Sequence, residues 1–147
     1  MNHATLIHEL LIQRDIDGFV AGDWTAVETD FDAAAFMGSS GESGIIRLAF
    51  PALNNYRDSW LAQAERYRGM DGDLLSQQLH AAQRLERIDV SDGRALVTKV
   101  FDGTVDSPSG PTHLAWTTYF FLRFDGDRRR WLITGFVGFL PTGSDAR

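Results

Sequence analysis

The chain has 147 residues, 44% hydrophobic and 23% charged, which is enough apolar material for one buried core. Its net charge of −6 argues against nucleic acid and anionic membranes as partners, because both need a basic footprint. Cysteine is absent, which excludes disulfides, thiol nucleophiles and thiolate metal sites.

Over residues 4–21, Leu6, Ile7, Leu10, Leu11, Phe19 and Val20 recur at helical spacing, and Gly22 is placed to end that helix. The N-terminus lacks the basic stretch and continuous apolar run of a signal peptide, and no apolar run approaches the ~20 residues of a membrane span, so a cytoplasmic protein is expected. Asp23 can cap a second, short helix over 24–31 that buries Trp24 and Val27. Residues 36–44, rich in Gly and Ser, read as a loop or weak edge strand. Residues 45–50 are short and apolar, and periodicity leaves strand and helix start both open. Pro51 suits a first helical turn, and Leu53, Tyr56, Trp60, Leu61, Ala64 and Tyr67 then form one stripe of a third helix. It stops at Gly69, after Arg66 and Arg68 have met the negative end of the helix dipole.

From there the pattern turns to β. Strands are expected over 79–90 and 94–105, joined at Ser91-Asp92-Gly93, since Asp-Gly is a strong hairpin signal. A loop over 106–111 leads to a second hairpin, 114–124 and 131–140, around the polar turn 125–130. The run Arg128-Arg129-Arg130 reads as its solvated tip. Both parities of that hairpin are apolar: Trp116, Phe120, Leu122 and Phe124 on one face, Ala115, Tyr119 and Phe121 on the other. One face can take the helices; the other then needs a second cover, most simply another copy of the chain, which predicts a homodimer. Three helices followed by a four-strand meander make the fold class α+β.

Three stretches carry a family resemblance: Val20-Ala21-Gly22-Asp23-Trp24 at the first helix junction, Gly44-Ile45-Ile46 before the third helix, and Phe121-Leu122-Arg123-Phe124-Asp125-Gly126 with Trp131-Leu132-Ile133-Thr134 in the last hairpin. Together they resemble the NTF2-like superfamily, in particular its SnoaL-like and ketosteroid-isomerase-like members. The resemblance spans nearly the whole chain and implies a single domain over 1–147. Its fold would be a cone-shaped, curved antiparallel sheet wrapped around three N-terminal helices (a cystatin-like α+β barrel), with an apolar pocket and often a dimer. The catalytic groups of ketosteroid isomerase do not carry over. Its base falls at Ser39, its neutral acid at Phe120 and its tyrosine donor at Asp15, so ketosteroid isomerisation is not expected.

The same resemblance selects an inner face: Ala95, Val97, Lys99 and Phe101; Trp116, Thr118, Phe120 and Leu122; Ile133, Gly135 and Val137. Lys99 is then a lone cation among apolar neighbours, and desolvation penalises its charge unless an anion pairs with it or its ammonium reaches water at the rim. A two-residue turn at Asp92-Gly93 sets Glu86 opposite Lys99, with Arg84 and His80 further along; a loop one residue longer turns Glu86 outward. Asp15, between Leu11 and Phe19, is either a general base in the pocket or part of a solvated face with Arg14 and Asp17. His80 is a possible proton shuttle, whereas His113 points away by parity. Tyr56 and Trp60, one turn apart, are core or a ligand platform.

The histidines at 3, 8, 80 and 113 have no metal-binding spacing, and no nucleophile elbow, phosphate loop or dinucleotide fingerprint is present, so neither metal nor cofactor is expected. The expected function is a pocket for an apolar or cyclic small molecule, with cofactor-free lyase, isomerase, dehydratase or hydrolase chemistry carried by Asp15, Lys99, Glu86 and His80. Tyr56, Trp60, Val97, Phe101, Trp116, Thr118, Phe120 and Ile133 would contact the ligand. The alternative is a non-catalytic ligand-binding or dimeric interaction module.

Overall fold

Helical periodicity at the N-terminus produces α1 (His3–His8), which Asn2 caps by accepting the Thr5 N–H at 2.8 Å. The helix continues through a π-helical segment, Glu9–Arg14, into α2 (Asp15–Ala21), and Gly22 at φ 66° ends it. In this computed structural model, which describes residues 2–42 and 44–139, Ile7, Leu10, Leu11, Ile16 and Phe19 form the buried stripe. The expected second helix is two 3₁₀ turns, Trp24–Ala26 and Glu28–Asp30; Asp23 accepts from the Thr25 backbone N–H, and Trp24 and Val27 are buried. Their end is stitched to the sheet by the Asp32 N–H donating to the Ile133 carbonyl at 2.9 Å.

The Gly/Ser-rich segment is β1 (Met37–Glu42), and the apolar run after it is β2 (Ile45–Phe50), a strand rather than the start of a helix. Gly41 has a packing reason: a Cβ there would come within 2.7 Å of the Phe139 ring. The third helix is α3 (Leu53–Arg66), with Tyr56, Trp60 and Ala64 buried. A fourth helix, α4 (Gly72–Ala82), corrects the expectation of a strand from residue 79. Asp71 caps it, and Leu75, Leu79 and Ala82 have helical spacing. Ala82 sits against Gly103, where a Cβ would approach to 2.7 Å.

The remaining strands are β3 (Gln83–Ser91), β4 (Arg94–Ser107), β5 (Gly110–Asp125) and β6 (Arg130–Phe139); Leu140, expected at the end of the last strand, lies outside the described residues. The sheet order is β2-β1-β6-β5-β4-β3. It is a curved, unclosed sheet of six strands packed on the N-terminal helices. It is not wholly antiparallel as expected, because β1 runs parallel to β6. Two helices and four strands separate this pair in the chain, so no hairpin joins them and either direction is open. No helix among the described residues is long and apolar enough to cross a membrane.

Two bulges decide which side chains face the helices. Asp92 and Gly93 form the expected two-residue turn, both at positive φ, and set Val90 opposite Ala95 and Ile88 opposite Val97. The register then slips at Glu86, so Leu85 lies opposite Lys99. On β6, Thr134 is the extra residue between Ile133, opposite Leu122, and Gly135, opposite Phe121; its hydroxyl donates to the Phe121 carbonyl at 2.9 Å. Phe136 therefore packs inward, and the expected inward Gly135 and Val137 lie on the outer parity with Phe121 and Tyr119.

Trp60 is 0% exposed and meets Phe19 and Trp24 edge-on, at 5.7 and 5.3 Å between ring centroids. Trp60→Ala should cost ~3–5 kcal/mol in urea unfolding, as for other buried large aromatics. A loss below about 1 kcal/mol would show that this cluster does not anchor α3.

Candidate functional site

Two cavities lie between the helices and the concave face of the sheet, and they share Asp15, Phe101 and Trp116 as lining. The inner one measures ≈ 40 Å³ and the outer one ≈ 410 Å³. Phe101 and Trp116, opposite each other on β4 and β5, stack at 4.4 Å between centroids and form the shared wall.

Alternation along β4 sends Ala95, Val97, Lys99 and Phe101 inward, and all four are buried. Lys99 is only 1% exposed and lines the inner chamber. Its ammonium donates to the Leu11 carbonyl at 2.6 Å, lies 3.4 Å from Asp15 Oδ2, and sits 4.9 Å from the Phe101 ring centroid. The π-helical segment contains Leu11; such a widened turn interrupts the ordinary ladder and is common at functional sites. Asp15 opens α2 directly after it, and the Trp60 indole N–H donates to its other oxygen, Oδ1, at 3.4 Å. Both carboxylate oxygens are thus oriented by donors, while the side chain keeps 20% of its surface accessible at the junction of the two cavities.

Among the other expected residues, Tyr56, Thr118, Phe120 and Ile133 line the inner chamber. Val97 and Trp60 are fully buried and line neither cavity, so they support the site rather than face it. Glu86 is exposed on the bulge, and the expected Glu86–Lys99 pair does not form. His80 is exposed on α4, because the segment carrying it is a helix and not the start of β3. His113, expected to point away, lines the outer cavity at the far end of β5.

One functional group escaped the sequence reading. Asp30, 2% exposed, lines the inner chamber opposite the sheet. Arg14 Nε donates to both its oxygens at 3.2 and 3.1 Å, and Arg130 Nη2 donates to Oδ1. Burial pushes the Asp30 carboxyl above its ordinary 3.8, against the pull of both arginines, with a further upward contribution from the charge of Asp15. Arg130 was read as part of a solvated turn tip, and only the inward turn of β6 brings it to Asp30.

The walls of the outer cavity are mainly apolar, from Ile16, Phe19, Leu79 and Leu114, with polar groups at its rims: Gln63, Arg66 and Tyr67 from the α3 end, and Ser107, Ser109 and Thr112 from the β4–β5 hairpin. Gln83, at the start of β3, is largely buried there, with its amide oxygen unpartnered among the described residues. Among the described residues no group of three or more His, Asp or Glu side chains could hold a metal ion.

No protein-family model matches the chain, and no curated protein matches it. Solved structures do. A ketosteroid isomerase-like protein from Erwinia carotovora atroseptica superposes with a TM-score of 0.62 over 95% of this chain and 98% of that one, at 18% identity. The S. rosetta CaMKII hub gives 0.59 over 94% and 96%, at 14% identity. An NTF2-like protein of unknown function from Shewanella baltica gives 0.56 over 94% and 95%, at 10% identity. At these identities the likeness concerns the backbone, and its content is the architecture: the chain has the NTF2-like fold.

Proposed function

We propose that the chain is a small-molecule pocket protein working in the cytoplasm, and that it performs cofactor-free acid–base chemistry on an apolar or cyclic metabolite. The fold supports a ligand-binding or catalytic role, as its ketosteroid isomerase-like neighbour illustrates. The observation that carries the finer reading is Asp15: a carboxylate with two oriented donors, partly accessible, at the neck between a chamber of ≈ 40 Å³ and one of ≈ 410 Å³. The inner volume has room for about three waters or one functional group, whereas the outer is the size of ordinary ligand sites. A ligand body in the outer cavity would present its reactive group at the neck. There Asp15 is the base that removes a proton, and the Lys99 ammonium stabilises the negative charge that develops. Asp30, held across the chamber with its carboxyl pushed upward by burial, is the second proton-handling group. This division of labour is that of an isomerase or dehydratase.

A second reading is favoured by a different observation. The convex face exposes Leu96, Tyr119, Phe121 and Phe139, an apolar patch uncommon on a monomer. We therefore also propose a homodimer through this face, and NTF2-like domains can assemble, as the hub neighbour illustrates. If the cavities only hold a ligand, the dimer is the working unit of an interaction module.

The two members of the buried pair should respond unequally. Asp15→Asn leaves a 1%-exposed ammonium with a neutral partner and should cost ~3–5 kcal/mol. Lys99→Met should cost less, because Asp15 keeps access to cavity water, and the double variant should resemble Lys99→Met. The reverse order in chemical denaturation would mean that the ammonium does not depend on Asp15. For function, a panel of apolar cyclic metabolites is screened by thermal shift and native mass spectrometry. At least one should bind the wild type and none the folded double variant; equal binding to both would remove Asp15 and Lys99 from the site. Light scattering at micromolar concentration should give twice the chain mass, and a monomer mass would remove the dimer.

A further inference from the structure

Another cavity of ≈ 290 Å³ shares Asp30 and Leu10 with the inner chamber and is lined also by Arg14, Thr29, Arg130, Trp131 and Leu6. We propose that it binds a small free oxyanion, a carboxylate or a phosphate, clasped between Arg14 and Arg130.

The argument is one of charge and donors. Two guanidinium groups share a single carboxylate. Arg14 spends its Nε–H on Asp30, and Arg130 spends one Nη2–H. Neither makes another ion pair among the described residues, and the buried Nε of Arg130 has no hydrogen-bond partner among them. Most of both donor forks is therefore uncommitted, and the cluster carries one excess positive charge inside a chain of net charge −6. Planar forks of this kind match the two oxygens of a carboxylate or phosphate.

Asp30 is 2% exposed and both arginines are partly buried, with side chains 40% and 30% accessible for Arg14 and Arg130. Asp30 thus fixes the inner side of each fork and leaves the cavity side open. An oxyanion there would complete two cations with two anions, beside the apolar Leu6, Leu10 and Trp131, where water screens the attraction less. The donors lie in a concavity, and the strongly negative chain repels an anionic surface, so a small free anion fits better than a membrane. This site is separate from the proposed reaction at Asp15, although Asp30 is a wall common to both.

The test is a titration of inorganic phosphate into the full chain in low-ionic-strength buffer, following the Nε–Hε signals of Arg14 and Arg130 by NMR. Both signals should move together and saturate, acetate should displace phosphate, and Arg14→Gln should weaken binding at least tenfold. Shifts that are absent or grow linearly to the highest phosphate would overturn the site. So would undiminished affinity in Arg14→Gln, or binding to phosphatidate vesicles without binding to free phosphate. Should Arg14→Gln fail to fold, the wild-type titration decides alone, since saturable, paired arginine shifts support the site and their absence rejects it.

Discussion

Burying one ammonium is the constraint on which the interior of this cone depends. Lys99 stands on a strand whose inward neighbours are Ala95, Val97 and Phe101, and a cation there is heavily penalised unless something compensates it. The compensation comes from the first helix, which contributes the Leu11 carbonyl and the Asp15 carboxylate from 88 and 84 residues away. The two acceptors lie one turn apart, flanking the point where π geometry gives way to α geometry. A helix of uniform pitch would place Leu11 and Asp15 differently relative to the sheet. The widened turn and the buried lysine therefore belong to one arrangement, and neither is explained alone. The same contact sets the depth at which the helix sits against the sheet, and so the height of the inner chamber.

The two bulges act on the same interior. Unbroken pairing from the Asp92-Gly93 turn would put Glu86 beside Lys99, giving the ammonium a carboxylate on its own sheet and making Asp15 redundant as its anion. The slip at Glu86 puts Leu85 there instead. On β6, the extra Thr134 turns Phe136 inward, where it meets Tyr56 at 5.0 Å and Phe120 at 5.7 Å between centroids. Without it a glycine and a valine would face the chamber, and the cavity would be wider and less aromatic. One inserted residue on each strand thus changes both the charge and the shape of the pocket.

This is also why the fold was more legible than the site. Apolar stripes at helical or alternating spacing are repeated many times, so α3 and the β3–β4 turn could be read from residues alone, whereas the inward parity of β4 and β5 came from the family resemblance, because both parities of the last hairpin are apolar. The 79–82 segment differs from the expected strand because Leu79 and Ala82 continue the helical spacing from Leu75, and Ala82 packs on Gly103. A bulge is a single residue with no compositional mark, so Glu86 and Val137 were assigned to the wrong side. Asp30 was out of reach for another reason. Nothing local distinguishes it from Glu28 or Asp32, and its meaning lies in Arg14 and Arg130, sixteen and one hundred residues away.

Charge placement links the cavities. Five charged groups line the inner chamber or back its wall: Lys99, Arg14 and Arg130 are cationic, and Asp15 and Asp30 anionic. Their sum is positive when all are ionised, opposite to the net −6 of the chain. Low-dielectric aromatic walls strengthen a local field relative to the solvated surface, so the interior potential is governed by these five groups rather than by the distant majority. Negative charge developing on a ligand beside Lys99 would be stabilised by this field. For the proposed acid–base chemistry, an interior of this sign inside an acidic chain suits a ligand that enters neutral and acquires negative charge.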